Sequence, residues 1–511
     1  MADSGEQHHY WHVRLDGHGH GEHADREVRS FRCTVKRNTA DGFLTQRRSL
    51  WIMDSDTIAA IATPPGAGGI GVVKVSGPRA IPIALPLLHP PKDLHRLQSH
   101  HLYYGSIIDP ETNRSLDEVL FSVMKAPNTY TREDVVEIQA HGSRCGLGAI
   151  LELVLKRGAR LAEPGEFTKR AFLNGRLDLS QAEAVIDLVN AQTAEGLELA
   201  ARQLEGHLLE SIEAIRAPLE TIRVEVEAAI DFPEDVEDII RPDVFADSMT
   251  REVTTPLEEL LDHYDEGHVY REGVAATIVG CPNVGKSSLM NRLLQKERAI
   301  VTPIPGTTRD FIEETVNIGG VPLRLIDTAG LHDTDSDLEA AGIRFTRQQL
   351  DEADLVLFMV DCSTPLSEED VGIYDLVRSQ KTILVINKID LGDGNKVRTI
   401  VERLGGLLWV EISALYNQGI ENLKAAIFGE VTHQRGASDL PSVVPNLRHK
   451  LAIERGLTAG REAVEGFKTQ RPPELVAVDL KEAVDALGEI TGIVTTEEML
   501  DQIFSRFCVG K

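Results

Sequence analysis

The sequence predicts a multidomain α/β plus α chain: an α+β module first, then an all-helical stretch, with an α/β domain inserted into that stretch. Three observations carry this. β-Branched runs separated by glycine turns dominate residues 57–139. Apolar residues recur at three- and four-residue spacing from about 179 to 270 and again past about 440. Between those stretches strands alternate with helices, the pattern of a mainly parallel sheet covered on both faces. At roughly 150 residues per domain, 511 residues imply about three domains.

In chain order, TIAAIA, TPPGAGG and IGVVKVS between Thr57 and Ser76 read as strand, glycine turn, strand. Gly66, Gly68, Gly69 and Gly71 match a dinucleotide fingerprint by letter only, because a β-branched run follows where that fingerprint needs a helix. Further strands are expected at 102–108, 118–124 and 134–139, and helices from near Cys145 and Leu179. The first module therefore covers 53–174 and the first helical part 175–272, with Pro218 interrupting but not ending a helix and DFPEDVED (231–238) an acidic break. From 273 to 432 strands are expected at 274–279, 311–318, 321–326, 355–360 and 382–386, and helices at 286–294, 338–350, 369–379 and 420–428. Residues 433–511 complete the helical part, and 503–507 are apolar enough to dock the C-terminus.

Composition removes several functions. Lys+Arg 53 against Asp+Glu 80 leaves −27, so the chain cannot coat nucleic acid by counterion release alone. No apolar run approaches 18 residues, so no transmembrane helix and no membrane partner are expected. The five cysteines are scattered without a CxxC pair, which argues for a reducing compartment, and a cytoplasmic location is expected. Residues 1–52 read as a disordered leader, with His8, His9, His12, His18, His20 and His23 near its start. Its later arginines leave a mitochondrial transit peptide as the alternative, and Met53 is an alternative start.

The central domain carries the chemistry. Gly280 to Ser287 is GxxxxGK[ST] after a strand and before a helix. Such a loop wraps phosphates with backbone N–H groups, Lys286 reaches the β- and γ-phosphates, and the Ser287 hydroxyl binds Mg²⁺. Asn283, Val284, Gly285 and Ser288 line the same loop. Asp327-Thr328-Ala329-Gly330 ends a strand, where a carboxylate supports Mg²⁺ and the Gly330 N–H senses a γ-phosphate. Thr302, Pro303, Ile304, Pro305, Gly306, Thr307 and Thr308 form a loop between those motifs, and the Thr308 hydroxyl ligates Mg²⁺ only while the γ-phosphate is present. Asn387-Lys388-Ile389-Asp390 ends another strand. Asp390 accepts from guanine N1–H and N2–H₂, donors that adenine lacks, which selects GTP. Asn387 and Lys388 brace the loop and the base, and Ser413-Ala414-Leu415 forms the last guanine loop.

This order of motifs resembles the translation-factor-like branch of small GTPases. Together with DTIAAIATPPGAGGIGVVKVSGP, PGEFTKRAFLNGRLDLSQAEAV and the terminal FCVGK, the chain from about Asp56 to Lys511 resembles the tRNA-modification GTPase family known as MnmE or TrmE. The resemblance implies an enzyme that works as a homodimer and in a heterotetramer with an FAD-dependent partner. The pair adds an aminomethyl or carboxymethylaminomethyl group at C5 of the wobble uridine of certain tRNAs. It also implies an N-terminal domain that dimerises and binds a formyl- or methylene-tetrahydrofolate, and G domains that meet when GTP and potassium are present.

Carried over by motif, Asn283, Thr302, Ile304 and Thr307 are potassium ligands, and Lys74, Glu137, Arg176 and Lys511 the folate set. Leu331 stands where Ras-like proteins keep a water-orienting Gln, and the resemblance gives that role to Glu339. Lys74 and Arg176 exchange the cation types expected at the two positions, and His332 departs from the family pattern near the second switch. Cys508 matches the family's C-terminal cysteine, with a part in the modification chemistry or a buried thiol as the two readings. The competing function is a switch in which GTP only gates RNA association; the folate-like module and FCVGK argue against it.

Overall fold

The structure is a computed structural model that describes residues 56–90, 97–232, 240–297, 313–326, 350, 353–392, 394–432 and 441–511. The chain divides into units Met1–Leu50 and Trp51–Lys511, and all described residues lie in the second. The leader, most of the acidic break and of the helix expected at 338–350, Thr302 to Thr308, Asp327 to Gly330, Leu331, His332 and Glu339 lie outside the described residues.

The N-terminal module is a seven-stranded sheet with short helices. Its elements are β1 (Ile58–Ile61), β2 (Gly68–Ser76), α1 (Ala80–Ala84), β3 (Leu88–His89), β4 (His101–Asp109), β5 (Arg114–Met124), β6 (Val135–Gly142), α2 (Arg144–Lys156), β7 (Arg160–Leu161) and α3 (Glu166–Leu173). The order is β3-β4-β5-β6-β2-β1-β7, antiparallel except between β1 and β7. The hairpin expected at 57–76 forms, with Ile58 opposite Ser76. Alternation sends Val73, Val75, Val136 and Ile138 into a core covered by Ile150 and Val154 of α2. Lys74 and Glu137 face each other across β2 and β6, an apposition fixed by register.

The helical part comprises α4 (Leu179–Asn190), α5 (Ala194–Glu205), α6 (His207–Asp231), α7 (Pro242–Met249) and α8 (Thr255–Glu272). Pro218 lies inside α6 without ending it. After the α/β sheet come α13 (Leu447–Lys468), α14 (Pro473–Thr491) and α15 (Glu497–Phe504), numbered after the helices introduced below. The three- and four-residue apolar spacing places one face of α6 inside. Leu208, Ile212, Ile215, Leu219, Ile222 and Val226 pack with Ile453 and Leu457 of α13 and Leu480 and Leu487 of α14. Helices from both sides of the sheet in sequence thus share one core. The C-terminal run docks as expected: Leu500, Ile503, Phe504 and Phe507 pack on Phe172, Leu179 and Ala182. Gly165 permits this approach. It has φ +66, and a Cβ there would stand 2.8 Å from the Phe504 carbonyl oxygen.

The α/β part contains β8 (Val274–Val279), α9 (Lys286–Glu297), β9 (Glu313–Ile318), β10 (Val321–Ile326), β11 (Leu355–Asp361), α10 (Glu368–Val377), β12 (Thr382–Asn387), α11 (Gly394–Arg403), β13 (Leu408–Glu411) and α12 (Ile420–Thr432). The six strands run β13-β12-β11-β8-β10-β9, parallel except for β9. β13 and α11 were not among the expected elements. The buried strands β8 and β12, and β11 from Leu355 to Val360, read as nearly continuous apolar runs, as a sheet covered on both faces requires. Loops leaving the carboxyl ends of β8 and β12 meet at one edge, the usual place for a ligand in an open α/β sheet.

Candidate functional site

The phosphate loop leaves β8 and turns directly into α9, whose first N–H groups have no partner inside the helix. Asn283 takes the left-handed conformation, φ +64, which a short amide side chain tolerates. Gly285 has φ +107, and a Cβ there would lie 2.4 Å from Asn387 Nδ2, so the position admits only glycine while Asn387 stays in place. Lys286 Nζ donates to the carbonyl oxygens of Gly280 at 2.8 Å and Cys281 at 3.1 Å, which holds the ammonium at the loop. Ser287 and Ser288 are exposed in the first turn of α9. The Ser287 hydroxyl is a hard oxygen donor beside that ammonium and fits Mg²⁺, an ion that takes few protein ligands and completes its shell with water and phosphate.

Asn387, 3% exposed at the end of β12, joins the two halves of the site. Its Nδ2 donates to the Val284 carbonyl at 2.7 Å and its Oδ1 accepts from the Ala414 N–H at 3.0 Å. Asn387→Ala leaves both groups without this partner, at about 1–3 kcal/mol for a buried group left unmet. Nucleotide affinity is expected to fall about 30-fold, with water recovering part of the loss; fluorescence titration with a labelled guanine nucleotide checks this, and unchanged affinity contradicts the role.

Asp390 Oδ1 accepts from Ser413 Oγ at 2.6 Å, so the last guanine loop sets the carboxylate's orientation. Ser413 and Gln418 exchange both backbone hydrogen bonds, closing that loop. Leu415 is 66% exposed beside it. Lys388 pairs with Asp361 Oδ2 at 2.6 Å. Burial pushes the Asp361 carboxyl up, but Lys388 and Ser363 more than reverse this and hold it below its ordinary value. Two contributors escaped the sequence reading. Asp361 ends the apolar strand β11, the same signal that marks Asn387 on β12. Arg292 of α9 donates to the carbonyls of Ala414 at 2.8 Å and Leu415 at 2.6 Å; nothing in its spacing distinguishes it from a solvated helix arginine.

A second site lies in the N-terminal module. Lys74 Nζ is 4.0 Å from Glu137 Oε1. Burial lowers the Lys74 ammonium below its ordinary value; Glu137 opposes this, and the charges of Lys511 and Arg176 add to it. Arg176 is exposed and donates through Nη1 to the Thr129 carbonyl at 3.1 Å. The C-terminus is strapped in place: the Phe167 N–H donates to Lys511 O at 3.1 Å and the Gly165 N–H to Cys508 O at 3.3 Å. The four expected residues therefore belong to one neighbourhood. Among the described residues the side-chain cations Lys74, Arg176 and Lys511 stand there with Glu137 and the α-carboxylate of Lys511, an arrangement that leaves positive charge for an anionic ligand. The buried-thiol reading of Cys508 is corrected: Cys508 is exposed, because Phe507 and Gly510 on either side take the buried positions.

Comparison with known proteins brings both regions under one heading. Residues 57–176 match the family model described as GTP-binding protein TrmE N-terminus, and residues 179–508 match the MnmE helical domain model. The chain is 46% identical over 462 residues to the tRNA modification GTPase MnmE of Carboxydothermus hydrogenoformans, covering 90% of this chain and 100% of that one. It is 45% identical over 457 residues to the protein of the same name from Acetivibrio thermocellus, covering 89% and 99%. The corresponding protein of Syntrophus aciditrophicus is 46% identical over 461 residues, with 90% and 100% covered.

Proposed function

The chain belongs to the MnmE family of tRNA modification GTPases, and from that premise we propose how its parts divide the work. The protein is a GTP-hydrolysing enzyme of tRNA modification. With an FAD-dependent partner it adds an aminomethyl or carboxymethylaminomethyl group at C5 of the wobble uridine of certain tRNAs. Residues 53–174 bind the folate and form the homodimer, 175–272 and 433–511 form the helical domain, and 273–432 form a G domain inserted into it. The working assembly is a cytoplasmic heterotetramer with that partner.

The observation that carries this reading is the coexistence, in one chain, of a guanine loop tied to a phosphate loop through Asn387 and a separate cationic site that includes the C-terminus. Asp390 selects guanine. The Gly280–Ser287 loop N–H groups and Lys286 hold the phosphates and meet the charge that develops as the γ-phosphoryl leaves. Ser287 and Thr308 hold Mg²⁺, which neutralises the β- and γ-oxygens. Asn283, Thr302, Ile304 and Thr307 hold K⁺, which adds positive charge beside the phosphates and favours the meeting of two G domains. Lys74, Glu137, Arg176 and Lys511 hold the tetrahydrofolate, which supplies the one-carbon unit. Exposed Cys508 stands beside that site and takes part in the modification.

Glu339 orients the attacking water. Glu339→Ala is expected to slow hydrolysis about 10²-fold, the lower end for general-base loss, while GTP affinity stays within about 3-fold. Single-turnover hydrolysis beside equilibrium binding separates the two, and an affinity loss as large as the rate loss moves Glu339 to a structural role. The function as a whole is tested by nucleoside analysis of tRNA from cells that lack the protein. Intact wobble-uridine modification in those cells refutes it.

A further inference from the structure

One aromatic ring stands at the centre of the cationic site. Lys74 Nζ lies 5.2 Å from the centroid of Tyr130, and the guanidinium carbon of Arg176 lies 4.8 Å from the same centroid. Lys74 is also 5.3 Å from the ring of Phe167. Two like charges that close to one ring repel each other, and the ring's quadrupole offsets part of the repulsion. The ring is itself held. Its hydroxyl shares a hydrogen bond with Thr168 Oγ1 at 2.9 Å, and its body packs against Ile58, Ala60, Ala162 and Phe167. Burial pushes the phenol up, against Thr168 and Arg176, so it remains neutral at physiological pH. The residue before it, Thr129, accepts from Arg176 Nη1, so positions 129 and 130 fix that guanidinium from two directions.

We propose that Tyr130 is the positioning residue of this site: its ring holds Lys74 and Arg176 as a pair, so that Arg176 presents a planar fork to one carboxylate of the folate's glutamyl tail while Lys74 supplies a point charge behind it. The identity of the ligand rests on the folate reading above; the clamp rests on geometry alone. The division of labour follows from exposure and chemistry. Arg176 is exposed and only one of its donors is engaged by a hydrogen bond given above, whereas Lys74 is largely enclosed beside Glu137. A guanidinium matches a carboxylate through two parallel hydrogen bonds, which an ammonium cannot do. The exchange of cation types between positions 74 and 176 therefore places the fork at the accessible end of the pair. Thr168, which anchors the Tyr130 hydroxyl, follows Phe167, whose N–H donates to Lys511 O, so the same short helix holds the ring and the main chain of Lys511.

The test uses the full-length protein and calorimetric titration with 5-formyl-tetrahydrofolate, and with tetrahydrobiopterin as a reduced pterin without a glutamyl tail. Tyr130→Phe keeps the ring and is expected to bind the folate within about 3-fold of wild type; Tyr130→Leu is expected to bind it about 10-fold more weakly, with GTP affinity unchanged as the control for folding. Arg176→Lys is expected to weaken folate about 10-fold and leave tetrahydrobiopterin unaffected, because only the tail meets the fork. A second readout needs no ligand: in protein carrying ¹³Cε-lysine, the Lys74 resonance, assigned with Lys74→Arg, is ring-shifted upfield in wild type and Tyr130→Phe and moves part of the way toward the bulk lysine position in Tyr130→Leu, where the Phe167 ring alone remains. Wild-type folate affinity in Tyr130→Leu, equal loss of both ligands in Arg176→Lys, or a Lys74 resonance that Tyr130→Leu leaves in place overturns the proposal. If wild type binds no folate, the folate reading fails alone, and the Lys74 resonance still decides the clamp.

Discussion

Asp390→Asn is expected to weaken GTP about 10³-fold and to transfer the preference to xanthosine triphosphate. Guanine offers N1–H and N2–H₂ side by side, and a carboxylate accepts both. Hydrogen bonds to a charged group contribute about 1.5–3 kcal/mol each, so two lost together approach 4 kcal/mol, or roughly three decades in affinity. Ser413 decides how the substituted amide sits. Its Oγ donates to one oxygen of position 390, and the asparagine carbonyl keeps that bond, which leaves the NH₂ facing the base. An NH₂ there opposes the guanine donors, whereas xanthine carries a carbonyl at C2 that accepts from it. Competition binding with both triphosphates on the full-length protein measures the ratio. An unchanged preference for GTP would mean that Asp390 does not read the base, and the specificity argument would fail with it. Hydrolysis of bound xanthosine triphosphate is expected to proceed, because Lys286 and the phosphate loop are untouched.

Motif-bearing loops were the most legible part of the chain, because their residues are consecutive. GxxxxGK[ST] between a strand and a helix, and NKxD at a strand end, can be read without knowing what packs against them. The ties between loops could not be read. Asn387 reaches Val284 across 103 positions, and Arg292 reaches Ala414 across 122. The apposition of Lys74 and Glu137 depends on strand register, and the ring between Lys74 and Arg176 depends on how the 129–130 loop folds back. Short or polar elements also escaped. β13 has four residues at a sheet edge after Gly405-Gly406, too short to show a period. α11 starts at Gly394 and buries only Val397 and Ile400 along its length, so its apolar stripe is faint. Arg170 illustrates a further limit. Its sequence reads as a surface arginine, yet it is 1% exposed among Asp56, Glu133 and Glu166, because three carboxylates from separate segments converge on it. Charge composition cannot foretell such convergence.

Glu183→Ala is expected to destabilise the helical part by about 3–5 kcal/mol, the usual cost of removing one partner from a buried ionic cluster. Glu183 lies on α4, and its partners Arg448 and His449 open α13, on the far side of the α/β part in sequence. Arg448 meets its two oxygens at 2.8 and 2.7 Å, and His449 Nε2 lies 2.7 Å from Oε2. His449 Nδ1 accepts from the Asn446 N–H at 3.1 Å, so Nε2 carries the proton and donates to Glu183 while the ring is neutral. Burial lowers the His449 pKa to about 4, against the attraction of Glu183. Burial alone would push the Glu183 carboxyl up; His449 and Arg448 more than reverse that, so it stays ionised at neutral pH. The substitution leaves a fully buried imidazole N–H without its acceptor, while Arg448 retains the carbonyls of Glu489 and Ile490. The pH dependence has a definite sign. The unfolded chain protonates its histidine near pH 6.5 and the fold resists until about pH 4. The stability held by the neutral ring is therefore full above pH 6.5 and is lost as pH falls through about 4. Because the folded pKa already lies below 5, losing the attraction of Glu183 adds almost nothing to the loss between pH 7.5 and pH 5, and the two proteins are expected to fall by similar amounts over that interval. Urea unfolding of wild type and variant at pH 7.5 and pH 5 measures both effects, with GTP affinity reporting on the α/β part. A loss under 1 kcal/mol at pH 7.5, or a wild type equally stable at pH 7.5 and pH 5, would show that solvent reaches this cluster and that the two helical segments are held by their apolar faces alone.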